Sequence, residues 1–209
     1  MKQLRLILAL ALMSPLYSNS QTLGNIDEIG PFSEDLAAIR KGDQWGFINK
    51  EGTLVIDYRN DLYWNENADS SKSDILGMRY PVFKDGRCII KQLEGDVPIY
   101  GFIDKEGKTI IEPQFLNVTH FENGYTTGVV FEKVFKGENE FKLKIFDFKF
   151  HDVLMDTSGK IEEFLAPRYN IQMVKKRYQL PTIDSKLLAD RLVAVRNEKN
   201  QWEIRKINR

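Results

Sequence analysis

Residues 45–56 of the chain read WGFINKEGTLVI, and residues 100–111 read YGFIDKEGKTII. A segment that recurs with so little change is the signature of a repeat protein, in which each copy is one small unit packed on the next. The residues that recur form turns and apolar strands. They therefore predict an architecture and carry no catalytic chemistry.

The repeat extends upstream of this segment. A phenylalanine followed by a turn and a strand occurs at Phe32, Phe83 and Phe121, and a weaker copy covers residues 188–196. We therefore expect four units, starting near residues 32, 83, 121 and 188. Unit three has a diverged second half in residues 154–161. Unit four is expected to be a terminal cap, because end repeats are atypical.

Each unit reads as short strands joined by tight turns. Residues 49–52, 104–107 and 156–159 begin with Asn or Asp and end with Gly, which favours a turn closed by a residue of positive φ. Apolar and mostly β-branched residues follow the first two turns and predict return strands. The structural repeat motif comprises Trp45, Gly46, Phe47 and Gly52 in unit one and Tyr100, Gly101, Phe102 and Gly107 in unit two.

The glycines inside the predicted strands need a reason of their own. Gly46 and Gly101 weaken a strand unless a neighbouring group approaches where a side chain would stand. We expect that group to be an aromatic ring, either from the phenylalanines that open the units or from the Trp45 and Tyr100 positions. Pro113 is expected to end the return strand of unit two, because it has no N–H to donate.

These patterns predict an all-β domain over residues 21–209, mainly strand with one or two short helices. Tandem hairpins form an open, curved antiparallel array, and a closed, propeller-like arrangement is the alternative. Residues 160–165 and 185–191, the latter with a serine cap, are compatible with helical turns. Residues 58–80 form a long polar insertion. A second insertion, residues 131–150, is dense in Phe and predicts a hairpin with its turn at 136–139.

A known family shares this pattern. Phe-x-x-Gly-x-Ala-x-Val, then Trp-Gly-Phe-Ile-Asp-x-x-Gly and an apolar return, resembles the WG-repeat family of bacterial β-repeat proteins. The match is specific in residues 32–57 and 83–130, partial at 152–161 and degraded at 188–206. The resemblance implies an exported, hairpin-based array that mediates interactions and has no established catalytic site. Tyr100 in place of Trp departs from the pattern.

The first twenty residues have the features of an export signal. Lys2 and Arg5 precede a short apolar run, residues 6–13, and Ser18 and Ser20 are small residues of the kind that signal peptidase reads. We expect residues 1–20 to be a signal peptide, and the mature chain to be periplasmic or extracellular, without a transmembrane segment. The formal net charge of +0 argues against nucleic-acid binding, which needs a clustered basic excess.

No motif for metal or nucleophilic chemistry is present. His120 and His151 are the only histidines and lack metal-ligand spacing, and the acidic turns are too short to enclose calcium. Cys88 is the only cysteine, so it forms no intramolecular disulfide, and it aligns with Ala37 in a position that suits a small buried residue. We expect no metal and no cofactor.

Tyr63 and Trp64 lie in the long polar insertion without an obvious core partner. Aromatic residues on loops are frequent at binding sites, although these two rings can also fold back to cover a sheet edge. We expect Tyr63, Trp64, Asn65 and Asn67 to contact an unknown protein or an envelope glycan.

The resulting hypothesis is a monomeric, non-enzymatic protein-interaction module. One alternative is a cell-envelope glycan-binding module, in which the same rings stack on sugars. A hydrolase that uses a pair of carboxylates is a second alternative, for which a carboxyl group of raised pKa in a cleft would be the sign.

Overall fold

The computed structural model describes residues 23–207, and the predicted signal peptide lies outside them. The described part is all-β, and a 3₁₀ helix, Ile75–Gly77, is the single helical element within it. The strands are β1 (Glu28–Ser33), β2 (Leu36–Lys41), β3 (Gln44–Asn49), β4 (Leu54–Arg59), β5 (Cys88–Glu94), β6 (Val97–Ile103), β7 (Thr109–Val118), β8 (Tyr125–Glu138), β9 (Lys144–Asp156), β10 (Ile161–Arg168), β11 (Ser185–Ala189), β12 (Leu192–Arg196) and β13 (Trp202–Lys206).

The strands form three antiparallel sheets, none of which closes on itself. Unit one is the first sheet, in the order β1-β2-β3-β4. Units two and three share one sheet of six strands, in the order β10-β9-β8-β7-β6-β5, and unit four is the third sheet, β11-β12-β13. Strands that neighbour in space also neighbour in sequence. The predicted all-β, hairpin-based and open architecture is therefore confirmed.

Two kinds of tight turn build the units. The first kind has two central residues of positive φ, as at Asp85 (49°) and Gly86 (70°), which is the type I′ turn that matches the twist of a hairpin. The second kind is the predicted Asn/Asp turn. In unit two, Asp104 Oδ1 accepts hydrogen bonds from the backbone N–H of Glu106 (3.1 Å) and of Lys108 (2.8 Å). Gly52, Gly107 and Gly159 close these turns at positive φ, as predicted.

Gly46 lies opposite a bulge of the neighbouring strand. Trp45 pairs with Arg59 and Phe47 pairs with Ile56, so β4 has one more residue than β3 in this interval. A Cβ atom on Gly46 would lie 2.8 Å from the carbonyl oxygen of Ile56. The group beside the glycine is therefore the backbone of the next strand, and the expectation of an aromatic ring is wrong.

Gly101 is crowded in the same way and more tightly. Its Cβ atom would lie 2.4 Å from the carbonyl oxygen of Ile111 and 2.7 Å from the nitrogen of Pro113. Pro113 lies inside the bulge, where a missing N–H costs no ladder hydrogen bond. Strand β7 consequently continues to Val118, and the prediction that Pro113 ends it is wrong.

The helical turns predicted at residues 160–165 and 185–191 are also wrong, because both segments are strands. β10 pairs with β9 through two irregularities of register, between Ile161 and Glu163 and between Phe164 and Ala166. These shifts disturb the two-residue alternation of a strand, so the apolar residues acquire a spacing that resembles a helix. Ser185, expected as a helix cap, pairs with Val195 in β11 instead.

The insertion at residues 131–150 forms the outer part of the β8–β9 hairpin, but its turn lies at residues 139–142 and not at 136–139. Asn139 Oδ1 accepts hydrogen bonds from the backbone N–H of Phe141 (3.0 Å) and Leu143 (2.9 Å), as in the unit turns. Gly137 lies instead at a shift of register. We call the two-stranded extension formed by residues 131–148 the ribbon.

Candidate functional site

Three aromatic residues occupy equivalent positions in units one, two and four. Trp45 pairs across the strands with Arg40, Tyr100 with Lys91, and Trp202 with Arg196. In both tryptophan units the guanidinium group lies over the ring, 5.9 Å from the centroid for Trp45 and 4.5 Å for Trp202. Each pair places a basic side chain beside a large ring on one face of a sheet.

Rings from the 58–80 insertion cover two of these aromatics. The Trp64 ring lies edge-on to Trp45 with centroids 5.7 Å apart, and the Tyr63 ring lies edge-on to Tyr100 at 5.0 Å. The Tyr63 hydroxyl donates a hydrogen bond to the carbonyl oxygen of Ile75 at 3.1 Å, and burial raises the pKa of Tyr63 to about 12. Both rings are half-buried. Of the two alternatives that the sequence leaves open for these rings, the structure therefore has the one in which they fold back onto the sheets.

Of the two asparagines in the predicted site, Asn65 holds the insertion in shape through its side chain. Asn65 Nδ2 donates to the carbonyl oxygen of Leu76 at 3.1 Å, and Asn65 Oδ1 accepts from the backbone N–H of Asn67 at 3.0 Å. Asn67 is exposed. All four predicted contact residues lie together in one loop, and their contact with a partner stays a prediction.

Within residues 23–207 no second aromatic ring covers Trp202. It is 48% exposed, whereas Trp45 is 1% exposed. A groove of about 930 Å³ opens beside it, between parts of residues 71–78, residues 119–127 and residues 182–187. Sequence reasoning missed this site because Trp202 reads as an ordinary repeat residue. The one feature of the sequence that could have indicated its exposure is that unit four has no aromatic insertion, of the kind found at residues 58–80, that could cover Trp202.

The groove has more free positive than negative charge. Lys84, Lys186 and Arg196 line it and form no ion pair within the described part of the chain. Two of its acids are already engaged. Asp74 accepts hydrogen bonds from the side chain of Asn117 (2.9 Å) and a backbone N–H (3.1 Å), and Asp184 pairs with Arg168. Glu122, the third acid of the wall, is exposed.

Two polar atoms of the groove residues have no protein partner. Ser185 is 5% exposed and its Oγ forms no hydrogen bond within residues 23–207, and the same holds for His120 Nδ1. Burial, with a smaller effect from nearby Lys84, lowers the pKa of His120 to about 4, so the ring is neutral at neutral pH. Buried polar atoms of native proteins are almost always paired, so unpaired ones in a groove wall are candidates for binding a polar ligand.

One carboxyl group has a raised pKa, but it lies outside the groove. Burial raises the pKa of Asp152 to about 6 against the opposing effect of Arg168. Asp152 is fully buried, accepts from Arg168 at 3.2 Å, and accepts from the backbone N–H of Asp184 at 3.3 Å. These contacts join the sheet of units two and three to the segment that leads into β11, which explains the burial in structural terms.

Two other residues that the sequence singles out, Cys88 and His151, pack against neighbouring parts of the protein. Cys88 is fully buried, as predicted, and burial raises the pKa of its thiol far above the usual range. His151 packs edge-on against Phe164 at 5.2 Å. Among residues 23–207 no cluster of three metal-ligating side chains is present. The same residues include no helix with the length and apolarity needed to cross a membrane.

The ribbon has one aromatic face. Phe131 pairs with Phe150, Lys133 with Phe148, and Phe135 with Phe146, and residues directly opposite each other share a face. The rings continue outward from a buried end to an exposed one. Phe150 is 6% exposed, whereas Phe135 is 54% exposed.

A segment of the chain covers the inner end of this face. Ile171, Met173 and Tyr178, from the connection between β10 and β11, pack in one cluster with Phe131 and Phe148. Tyr178 also donates a hydrogen bond from its hydroxyl to the carbonyl oxygen of Leu116 at 3.3 Å. The outer end, with Phe135 and Phe146, is not covered by any segment of residues 23–207.

These features define an all-β repeat protein whose units are stacked hairpins. A family model described as WG containing repeat matches residues 25–45, 45–59 and 100–127. Repeats of this family are thus present within residues 25–127, as the sequence pattern indicates. No curated protein and no solved structure matches the chain.

Proposed function

We propose that the protein is a non-enzymatic binding module that acts outside the cytoplasm and holds a partner protein on its ribbon. The observation that supports this proposal is the uncovered outer end of the ribbon's aromatic face. Phe135 and Phe146 lie there with ring centroids 5.6 Å apart, and Phe141 at the ribbon's turn is 82% exposed. Contiguous exposed apolar residues on a soluble domain usually mark an interaction surface.

The chemistry of the partner follows from the way the chain covers the inner end. Residues 169–180 supply an irregular segment whose Ile171 and Met173 pack on the aromatic face. The outer end continues the same face, so we infer that the partner supplies an extended segment with alternating apolar side chains. Lys133, whose ammonium group lies 4.6 Å from the centroid of Phe146, adds a basic edge. An acidic residue beside the apolar segment would pair with it.

The test uses tagged protein with a photo-crosslinking residue at position 135. Capture is done from the envelope and secreted fractions of the native organism, and the crosslinked peptide is sequenced by mass spectrometry. We expect one partner segment, extended and apolar, to crosslink at this position. Wild-type protein and a Phe135→Ser/Phe146→Ser variant are compared in parallel, and the variant should retain less than a tenth of the partner.

The matched control is Ile29→Ser/Phe32→Ser, which removes two exposed apolar residues from the first sheet. It should capture as much partner as wild type, and both variants should unfold at the wild-type temperature. Equal loss of the partner in both double variants would mean that general surface apolarity, not the ribbon, drives capture. Loss with Asn67→Ala instead would locate the contact on the 58–80 insertion.

A further inference from the structure

We propose that the groove beside Trp202 binds a saccharide that carries a carboxylate group. The groove has no lining residue in common with the ribbon, so this site does not depend on the function proposed above. Three observations carry the inference: an uncovered ring, unpaired polar atoms in the wall, and unpaired cations.

The ring comes first. At the equivalent repeat positions another ring packs edge-on over the aromatic residue, Trp64 over Trp45 and Tyr63 over Tyr100. In unit four Arg196 lies over one face of Trp202, yet the residue is still 48% exposed. The exposed indole surface is therefore a platform of the same kind, on which a ligand ring can pack.

The residues around Trp202 indicate which kind of ligand ring the groove can bind. In unit one the covering Trp64 packs in an apolar cluster that includes Leu62 and Phe83. In the groove, His120 Nδ1 and Ser185 Oγ are buried without a protein partner within residues 23–207. An apolar aromatic side chain would leave those two atoms unpaired, at a cost in free energy. A pyranose ring can pack its C–H face on the indole, and its hydroxyl groups would pair with these two atoms once rotation of the His120 and Ser185 side chains turns them toward the groove.

The charged side chains of the groove indicate which substituent the sugar carries. Lys84, Lys186 and Arg196 form no ion pair within the described residues, although Arg196 donates a hydrogen bond to Asn200 Oδ1 at 2.6 Å. Of the three acids of the groove, Asp74 and Asp184 are engaged inside the protein and Glu122 is exposed. A neutral sugar would form no charge-assisted hydrogen bond with these cations. A carboxylate on the sugar would accept charge-assisted hydrogen bonds from them, and these bonds are stronger than those between neutral groups.

The experiment is a titration of the intact mature protein with a panel of acidic oligosaccharides, followed by calorimetry and tryptophan fluorescence. The panel contains oligogalacturonate, oligoguluronate, hyaluronate and a muramyl glycan, each beside its neutral methyl ester or reduced form. We expect at least one acidic member to bind and to change the fluorescence. Its neutral counterpart should bind at least tenfold more weakly, and added salt should weaken the acidic member.

Variants locate the site. Trp202→Ala should weaken binding at least tenfold, and Lys186→Ala should weaken it about threefold and reduce the dependence on salt. Lys206→Ala, an exposed lysine of the same sheet outside the groove, should bind as wild type does. The proposal fails if no member of the panel binds at millimolar concentration, or if the acid and its neutral form bind equally. It also fails if Trp202→Ala leaves the affinity unchanged.

Discussion

The carboxylate of Glu34 accepts a hydrogen bond from the backbone N–H of Gly86 at 2.9 Å. These residues lie in the type I′ turns of units one and two. Asp85, which stands in unit two where Glu34 stands in unit one, accepts in the same way from the N–H of Gly124 in unit three, at 2.6 Å. Successive repeats are therefore joined through equivalent positions, from an acidic side chain to the main chain of the next turn.

Removing one of these joints should lower stability modestly. For Glu34→Ala we expect the free energy of unfolding to fall by about 1–2 kcal/mol, because a partly buried charge-assisted hydrogen bond is lost. The same carboxylate also pairs with Lys105 at 3.1 Å. Urea unfolding measures the change. Asp43→Ala is the control, since Asp43 is an exposed acid of a neighbouring turn that forms no such bond within the described residues. Equal losses of stability in the two variants would contradict a stabilising role for the Glu34–Gly86 hydrogen bond.

The crowded glycine of unit two should tolerate no side chain. Gly101→Ala places a methyl group 2.4 Å from the carbonyl oxygen of Ile111, so the bulge must move. We expect a loss of about 3 kcal/mol, at the upper end of the range for overpacked sites. Thermal and urea unfolding measure it. Gly24→Ala, where the added Cβ meets nothing within 4 Å, should change stability little, and similar behaviour of the two variants would be evidence against the crowding.

Trp64 should matter more to stability than Trp202 does. Trp64→Ala removes a half-buried ring that packs on Trp45 and lies within 5.4 Å of the guanidinium carbon of Arg40. We expect it to cost about 2–3 kcal/mol, somewhat less than a fully buried Trp. Trp202→Ala, at a mostly exposed position, should cost less than about 1 kcal/mol. Denaturant unfolding of both variants tests the ranking, and the reverse order would show that Trp64 is not a structural cover.

Acid should destabilise the protein in part through His120. Its pKa falls from 6.5 to about 4 on folding, so between these values the unfolded chain binds a proton that the folded protein excludes. The contribution of this group to stability is therefore complete above pH 6.5 and is lost as the pH falls toward 4. The loss is at most about 3 kcal/mol.

The measurement is the unfolding free energy of wild type and His120→Gln at a series of pH values from 7 to 4. The free energy of unfolding of the wild type minus that of His120→Gln should decrease as the pH falls, because only the wild type has the histidine. Asp152, whose pKa is raised to about 6, has the opposite effect, since its proton uptake stabilises the folded state as the pH falls. It is present in both proteins, so it cancels in the difference. A difference that is constant with pH would contradict the lowered pKa of His120.

Local chemistry made much of the fold predictable. The Asn/Asp turns follow from short-range hydrogen bonds, so the positions of Gly52, Gly107 and Gly159 could be assigned from the sequence. The reason that Gly46 is a glycine could not be assigned from the sequence. It depends on the register between β3 and β4, and no short stretch of sequence determines that register. The segment after residue 160 was misjudged for a related reason, since two register shifts in β10 alter the spacing of its apolar residues.

The candidate site was less predictable than the fold. The sequence places Tyr63 and Trp64 in a long polar insertion, but which surface they cover depends on the tertiary packing of that insertion against two different sheets. Trp202 matches the repeat pattern, and its exposure results from what does not cover it. The ribbon's aromatic face was visible as a density of phenylalanines, but its division into a covered and an uncovered end depends on a segment more than twenty residues further along the chain.

The joint between Glu34 and Gly86 has an evolutionary consequence. Its acceptor is a side chain and its donor is a main-chain atom, and units one and two each encode one of each. A tandem duplication of the coding sequence would therefore create a new unit with both of its junctions already complete, and no compensating substitution would be required elsewhere. In unit three Asn123 stands at the acceptor position, so the series of acidic acceptors ends there.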